Sequence, residues 1–305
     1  MGRVSALDAA LERAAVADLS SWPRLIARGP AFLGLLHRLS TGEVAELQPG
    51  EGRPTVVTTA KGRILARLIV FHLGDEGILA LGGPGTGDRV RTHLTKYALG
   101  EDIGLSDAPA GPAYAIVGPR WLEVAKAIGI PDLAPFATAM TADGTRVART
   151  NGFDDDGMLV FGAPPDAPSL SPEELEAWRI LTMRRLAGRE LTEDYNPLEA
   201  GLQDAVSFTK GCYVGQEVVA RLNTYDKVAR GIVKLELSGG EVPPAGARVV
   251  LGGREVGTLT SAAHDPRGAT VAALAYVKKR DLPQGTDEVE VAWEGSRSPA
   301  RVVSR

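Results

Sequence analysis

From Ala229 to the C-terminus the chain reads as short stretches of alternating apolar and polar residues, at 231–237, 248–251, 255–260, 271–276, 289–292 and 301–303, divided by Gly, Pro and Asp. A period of two places successive side chains on opposite faces of a strand. Evenly spaced short strands with no helical stretch between them predict a small β-barrel, since closing the sheet removes the unpaired edges. The change of texture sets a domain boundary near Lys227, with residues 1–227 as one region and 228–305 as the barrel. The 305 residues exceed what one core needs, so two or three packed units are expected.

Upstream the patterns are mixed. Residues 56–59, 64–72 and 78–81 read as antiparallel strands, with Lys61-Gly62 at a hairpin turn. Gly82-Gly83-Pro84-Gly85-Thr86-Gly87 then precedes a helical stretch at 88–97. It lacks the Lys-Ser/Thr ending of a phosphate loop, and Asp88 stands where a dinucleotide fingerprint has its last Gly, so it reads as a tight strand-to-helix connection. A strand at 113–117 and a helix at 121–128 follow. Strands at 145–150 and 158–161 flank Asp154-Asp155-Asp156-Gly157, which resembles half of a calcium loop without its downstream Glu and reads as a solvated hairpin tip. Leu7, Leu11 and Val16, interleaved with Glu12 and Arg13, read as a short amphipathic helix. Pro164, Pro165 and Pro168 mark a linker. Ser171-Pro172-Glu173-Glu174 opens a helix expected to run to about Ala187, with an N-cap, Pro in the first turn and acids facing the helix dipole.

The charge balance is -4 and no Lys/Arg block stands out, which argues against a nucleic-acid partner. No apolar stretch reaches the ~20 residues that span a bilayer; the longest, at 64–73, is interrupted by Arg67 and His72. No cationic start with an apolar run follows Met1, so a cytoplasmic protein without a membrane partner is expected. Cys212 is the only cysteine. It cannot form an internal disulfide or supply a cluster or zinc site by itself, and His37, His72, His93 and His264 show no ligand spacing. No permanently bound metal is expected, and one thiol on an ordinary surface points to a monomer.

The densest chemistry lies in Phe208-Thr209-Lys210-Gly211-Cys212-Tyr213-Val214-Gly215-Gln216-Glu217. A thiol becomes nucleophilic where a cation or a helix N-terminus stabilises its thiolate. Lys210 is a candidate for that cation, and a helix starting at Gln216 for that dipole. Gly211 and Gly215 allow close backbone approach. Composition alone leaves open a buried, inert cysteine in a tight turn.

Lys-Gly-Cys-Tyr-x-Gly-Gln-Glu resembles the signature of the YgfZ-type folate-binding proteins, relatives of the glycine cleavage T-protein (aminomethyltransferase). Trp178-Arg179, the run from Gly188 to Asp194 and Asn196-Pro197-Leu198-Glu199-Ala200-Gly201-Leu202 resemble the segment that precedes the signature in this superfamily. Val256-Gly257-Thr258-Leu259-Thr260-Ser261 and Ala273-Leu274-Ala275-Tyr276-Val277 resemble its barrel. The resemblance implies an α+β, T-protein-like three-domain ring: two interlocked α+β units and a C-terminal β-barrel around a folate-binding channel. It implies tetrahydrofolate as ligand, and iron–sulfur client proteins or the cluster-assembly machinery as partners. It makes Cys212 the functional thiol, with Lys210, Gly211, Tyr213, Gly215, Gln216 and Glu217 as motif partners and Arg221 in the same run. Arg67, Phe71, Arg179 and Glu199 become candidate folate contacts.

The departures from the T-protein are equally specific. T-proteins resemble one another in a strand reading Asp-x-x-x-Tyr, whose Asp is catalytic; Arg67 and Phe71 align there. They also lack a Cys at the position of Cys212. A guanidinium repels a developing cation and suits the carboxylates of a folate glutamate tail. Three readings follow: a factor maintaining iron–sulfur clusters through Cys212, a folate-dependent methyl- or aminomethyltransferase, and a ring-fold interaction module without folate. The first is the expectation carried forward.

Overall fold

A computed structural model describes residues 5–153, 156–224, 227–268 and 270–304. Asp154 and Asp155 of the acidic turn lie outside the described residues. The elements run in the order α1 (Ala6–Glu12), β1 (Ala15–Asp18), β2 (Arg24–Arg28), α2 (Phe32–Leu39), β3 (Gly52–Thr58), β4 (Ile64–His72), β5 (Ile78–Gly82), α3 (Gly87–Tyr97), β6 (Gly104–Asp107), β7 (Tyr114–Val117), α4 (Trp121–Ala127), β8 (Thr138–Met140), β9 (Arg146–Arg149) and β10 (Met158–Phe161). They continue with α5 (Pro172–Leu181), α6 (Gln216–Thr224), β11 (Arg230–Ser238), β12 (Arg248–Leu251), β13 (Arg254–His264), β14 (Thr270–Lys278), β15 (Glu288–Trp293) and β16 (Ser296–Ser304).

The chain divides into two compact units. One holds Met1–Leu170, Leu186–Pro197 and Leu202–Ala220; the other holds Ser171–Arg185, Leu198–Gly201 and Arg221–Arg305. The first unit contains two antiparallel sheets, ordered β3-β4-β5-β2-β6 and β1-β7-β10-β9-β8. In the former, Ala66, Leu68 and Val70 of β4 pack with Leu35, Leu36 and Leu39 of α2 and Val90 and Leu94 of α3. Strand alternation sends Arg67, Ile69 and Phe71 to the opposite face. In the latter sheet, Ile116, Val147, Met158 and Val160 bury Trp121 and Ala125 of α4.

In the second unit β11-β14-β13-β12-β15-β16 close into a barrel, as the alternating stretches predict. Inward residues such as Leu235, Val249, Leu259, Ala275 and Val291 form its core. Helix α5 lies on the barrel, with Ile180 against Ala272 and Leu274.

Strands β3, β13 and β16 extend beyond the expected stretches, and two helix ends differ from expectation by more than a residue. Helix α5 stops at Leu181, not near Ala187: the Thr182 hydroxyl donates to the Trp178 carbonyl (2.7 Å), Lys234 Nζ donates to the Leu181 carbonyl (2.8 Å), and Met183 turns to φ 59°. Val16 is not helical. Helix α1 ends at Glu12, and Val16 pairs with Ile116 in β1–β7. The glycine stretch is the expected connection, joining β5 to α3.

The start of α5 is a full capping box: Ser171 accepts from the Glu174 N–H, and Glu174 accepts from the Ser171 N–H. Ser171→Ala is expected to cost ~1 kcal/mol of stability, read as a lowered urea midpoint with an unchanged slope.

Candidate functional site

The motif is built around a buried ammonium. Lys210 is 8% exposed, and its Nζ donates to the carbonyls of His37 (2.6 Å), Ser40 (2.9 Å) and Gly42 (2.8 Å). These carbonyls lie at and just beyond the C-terminal end of α2. Helix ends leave carbonyls without partners there and carry partial negative charge. The Nζ also lies 5.2 Å from the centroid of the buried Tyr213 ring. The sequence reading gave Lys210 to the thiol as its cation. In the structure the three N–H donors of the ammonium are engaged by main-chain oxygens.

The rest of the loop is held on two sides. The Val214 N–H donates to the Arg38 carbonyl of α2 (2.9 Å), and the Val214 carbonyl accepts from the Thr58 hydroxyl of β3 (2.6 Å). Gly215 has φ 86°, and a Cβ there would lie 2.6 Å from the Thr59 carbonyl and 2.9 Å from the Gly62 Cα. Only glycine fits both the conformation and the gap. Gly62 sits in the β3–β4 turn with φ 65°. Between these anchors Gly211 and Cys212 are exposed. Helix α6 begins at Gln216; Glu217, in its first turn, and Arg221 are exposed.

The segment before Lys210 lines a cavity of about 530 Å³ through Asp204, Ser207 and Thr209, with Glu43 and Arg53 on its other walls. An inner cavity of about 220 Å³ shares Pro135, Phe136 and Asp204 with it and is lined by Arg67, Arg149 and Asp156. Phe136, on the shared wall, has φ 59°, a conformation rare for a residue with a side chain and found where the surroundings enforce it. Arg149 grips Asp156 through two bonds (3.0 and 2.8 Å). Arg67 is buried, and its Nη1 donates to the Gly152 carbonyl (3.2 Å). His37 Nδ1 lies 3.0 Å from Glu43 Oε1. Burial first and Lys210 second push this imidazole below its ordinary range.

The expected folate contacts are distributed over both units. Arg67 lines the inner cavity. Phe71 is fully buried in the sheet, its ring filling the space a Cβ on Gly52 would need. Arg179 and Glu199 are buried in the second unit. Arg179, 1% exposed, binds Glu176 and the Ser261 hydroxyl (2.7 Å), tying α5 to β13. Thr209 belongs to the motif segment and Glu43 to a stretch, Thr41-Gly42-Glu43-Val44, that fits the family pattern, but neither carries a site role in the sequence reading. Arg53, Asp204 and Ser207 are not read from sequence; adjacency to the motif marks Ser207, and nothing marks Arg53. Among the described residues no group of three or more His, Cys, Asp or Glu is placed to hold a metal ion, and no helix is long and apolar enough to cross a membrane.

Residues 230–305 match the family described as glycine cleavage T-protein C-terminal barrel domain. The aminomethyltransferase of Streptomyces avermitilis is 30% identical over 318 residues, covering 96% of this chain and 86% of that protein. The chain belongs to the glycine cleavage T-protein family. The Streptomyces coelicolor aminomethyltransferase is 29% identical with the same coverage. The crystal structure of glycine cleavage system aminomethyltransferase T from Bartonella henselae superposes with a TM-score of 0.77 at 22% identity, covering 97% of this chain and 86% of that one. The T-protein fold, mixed α+β with a C-terminal six-stranded barrel, is thus the fold of this chain.

Two motif residues of this T-protein relative carry opposite pH signatures. Burial lowers the Lys210 ammonium from 10.5 to about 8, against a smaller opposing pull from Glu43, and burial raises the Tyr213 phenol from 10.0 to about 12. From about pH 8 to 10.5 the unfolded chain keeps a Lys210 proton that the folded chain has lost, so this group makes stability rise with pH. From about pH 10 to 12 the folded chain keeps the Tyr213 proton that the unfolded one loses, so stability falls. Urea titrations across this range should show the rise flattened in Lys210→Met and the fall flattened in Tyr213→Phe.

Proposed function

We propose that this T-protein-family chain is of the YgfZ type: a cytoplasmic, monomeric tetrahydrofolate-binding protein that supports assembly or repair of iron–sulfur clusters in client enzymes through Cys212. The observation that carries this reading is an exposed, sole thiol on a loop fixed by main-chain anchors, following in the chain from Ser207 and Thr209, which line a ligand-sized cleft.

The cleft suits a folate by size and by donor set. Its 530 Å³ falls within the ~300–1,000 Å³ usual for small-molecule sites. A pterin presents N–H donors along one edge, which the carboxylates of Glu43 and Asp204 can accept. A glutamate tail presents carboxylates, which Arg53 and Arg67 can meet. Tetrahydrofolate, when bound, supplies ring nitrogens that carry one-carbon units. The chain's own residues orient it between acidic and basic walls and hold the Cys212 thiol outward. The iron–sulfur cluster enters as cargo of the client, in keeping with a single thiol.

The second reading, aminomethyl transfer, draws on the full-length similarity to aminomethyltransferases. Against it stands Arg67, aligned with the T-protein's catalytic Asp and placed in the inner cavity. A guanidinium there opposes cationic charge building up on the folate nitrogen.

In a strain lacking the gene, the wild-type chain should restore client iron–sulfur enzyme activity and Cys212→Ser should leave it at the deletion level; full restoration by Cys212→Ser would remove the thiol from the function. Aminomethyl turnover by the purified protein should stay at background. Arg67→Ala should weaken tetrahydrofolate binding in calorimetry by about tenfold, the scale of a single charge-assisted hydrogen bond.

A further inference from the structure

We propose that Lys210 is a positioning residue for Cys212: its ammonium, seated on three carbonyls at the C-terminal end of α2, fixes the loop that presents the thiol. The inference rests on the reading of Cys212 as the working thiol, but its geometry stands apart from any client or folate.

The cation's surroundings are specific. Converging acceptors come from His37, Ser40 and Gly42, at 2.6, 2.9 and 2.8 Å. An ammonium carries three donors on one nitrogen and matches three carbonyls meeting at a point; a guanidinium spreads its donors over a planar fork and does not. A buried charge is costly unless hydrogen-bonded; three bonds to main-chain oxygens at a helix C-terminus offset part of that cost, and the rest appears as the lowered ammonium pKa. The groups facing the ammonium are few. Glu43 is the acid near it, and the His37 imidazole lies against Glu43. Arg38 of the same helix points to Glu101 instead, and the Tyr213 ring supplies the remaining wall.

From this seat the covalent path to the sulfur is short, since Lys210 and Cys212 flank one residue, Gly211, which is exposed and has no side chain to hold it. Beyond Cys212 the next anchors are the Tyr213 ring and the Val214 main chain. Cutting the Lys210 tether therefore leaves the near side of Gly211 and Cys212 held only by the Lys210 N–H, which donates to the Ser207 hydroxyl (3.2 Å). Lysine acts here by geometry, so arginine, with the same charge, is a poor substitute.

Lys210→Ala opens a seat of ammonium shape, and a small alkylammonium ion can fill it. Amide hydrogen exchange by mass spectrometry on the full chain reads the outcome. Peptides spanning residues 209–214 should exchange at least tenfold faster in Lys210→Ala, while β4 and the barrel strands stay as in wild type. Methylammonium at 100 mM should restore slow exchange, and tetramethylammonium, which has no N–H, should not. Lys210→Arg should exchange as fast as the alanine variant. Lys210→Met keeps the packing, fills the seat with a methyl group and serves should the alanine variant fail to fold; it should exchange fast and ignore methylammonium. A nitroxide on Cys212, the only attachment point, should report the same gain and rescue of loop mobility. Unchanged loop exchange in both the Ala and Met variants, slow exchange in Lys210→Arg, or acceleration spread equally over β4 and the barrel would each overturn the proposal. None of these readouts involves iron, sulfur transfer or folate, so failure of the functional reading alone would leave them unaltered.

Discussion

The Lys210 ammonium and its three carbonyls are the contact on which the site depends. Helix α2 ends at Leu39 and must dispose of carbonyls that have no helical partner. A lysine from far along the chain takes them, which couples the end of a helix near residue 40 to a loop near residue 210. Thr58 and Arg38 then hold Val214, and Gly62 admits Gly215. Truncating the Lys210 side chain would leave these carbonyls without their donor and the loop without its side-chain tether. The second unit uses a related device, with Lys234 closing the end of α5 at the Leu181 carbonyl.

Strand β4 links that anchor to the cleft. One face packs on α2 and α3, which sets where the α2 carbonyls end up. The other face carries Arg67 into the inner cavity. One strand thus orients both the cage for Lys210 and the Arg67 guanidinium that lines the smaller cavity. Similarity to aminomethyltransferases over nearly the whole chain establishes the architecture; the chemistry of a shared architecture is set by its side chains, and the proposed function assigns that part here to Arg67 and Cys212.

The sequence was most legible where burial follows a simple period. The barrel strands alternate, and β4 is a run apolar enough to be read with its bounds intact. Helix α2 was not read as an element, because its N-cap is Ala31, which offers no side-chain cap, and Gly34 interrupts the apolar run. Strand β6, Gly-Leu-Ser-Asp, is short and mostly exposed. At the site, the motif residues were legible as residue types, but their partners were not. Lys210 binds main-chain oxygens, which any sequence can supply, and Phe136 takes a left-handed conformation that no residue pattern announces. Arg179 lies in a recognisable segment, yet its bonds to Glu176 and to Ser261, 82 residues away, follow from no sequence pattern.

The contrast between cleft and thiol bears on what each can meet. The inner cavity admits only small groups, and its mixed acid and base lining suits a ligand with both donor edges and carboxylates. Cys212 stands on the surface, on a loop whose main chain is pinned at Val214. A sulfur so placed can touch a folded partner without either chain opening, whereas a thiol at the end of a narrow cavity would be restricted to small molecules. A rigid loop also lowers the entropy lost when a partner closes over it. Steric access is therefore consistent with the proposed division, a protein at the exposed thiol and a small molecule in the cleft, with the Lys210 anchor in the same unit as both.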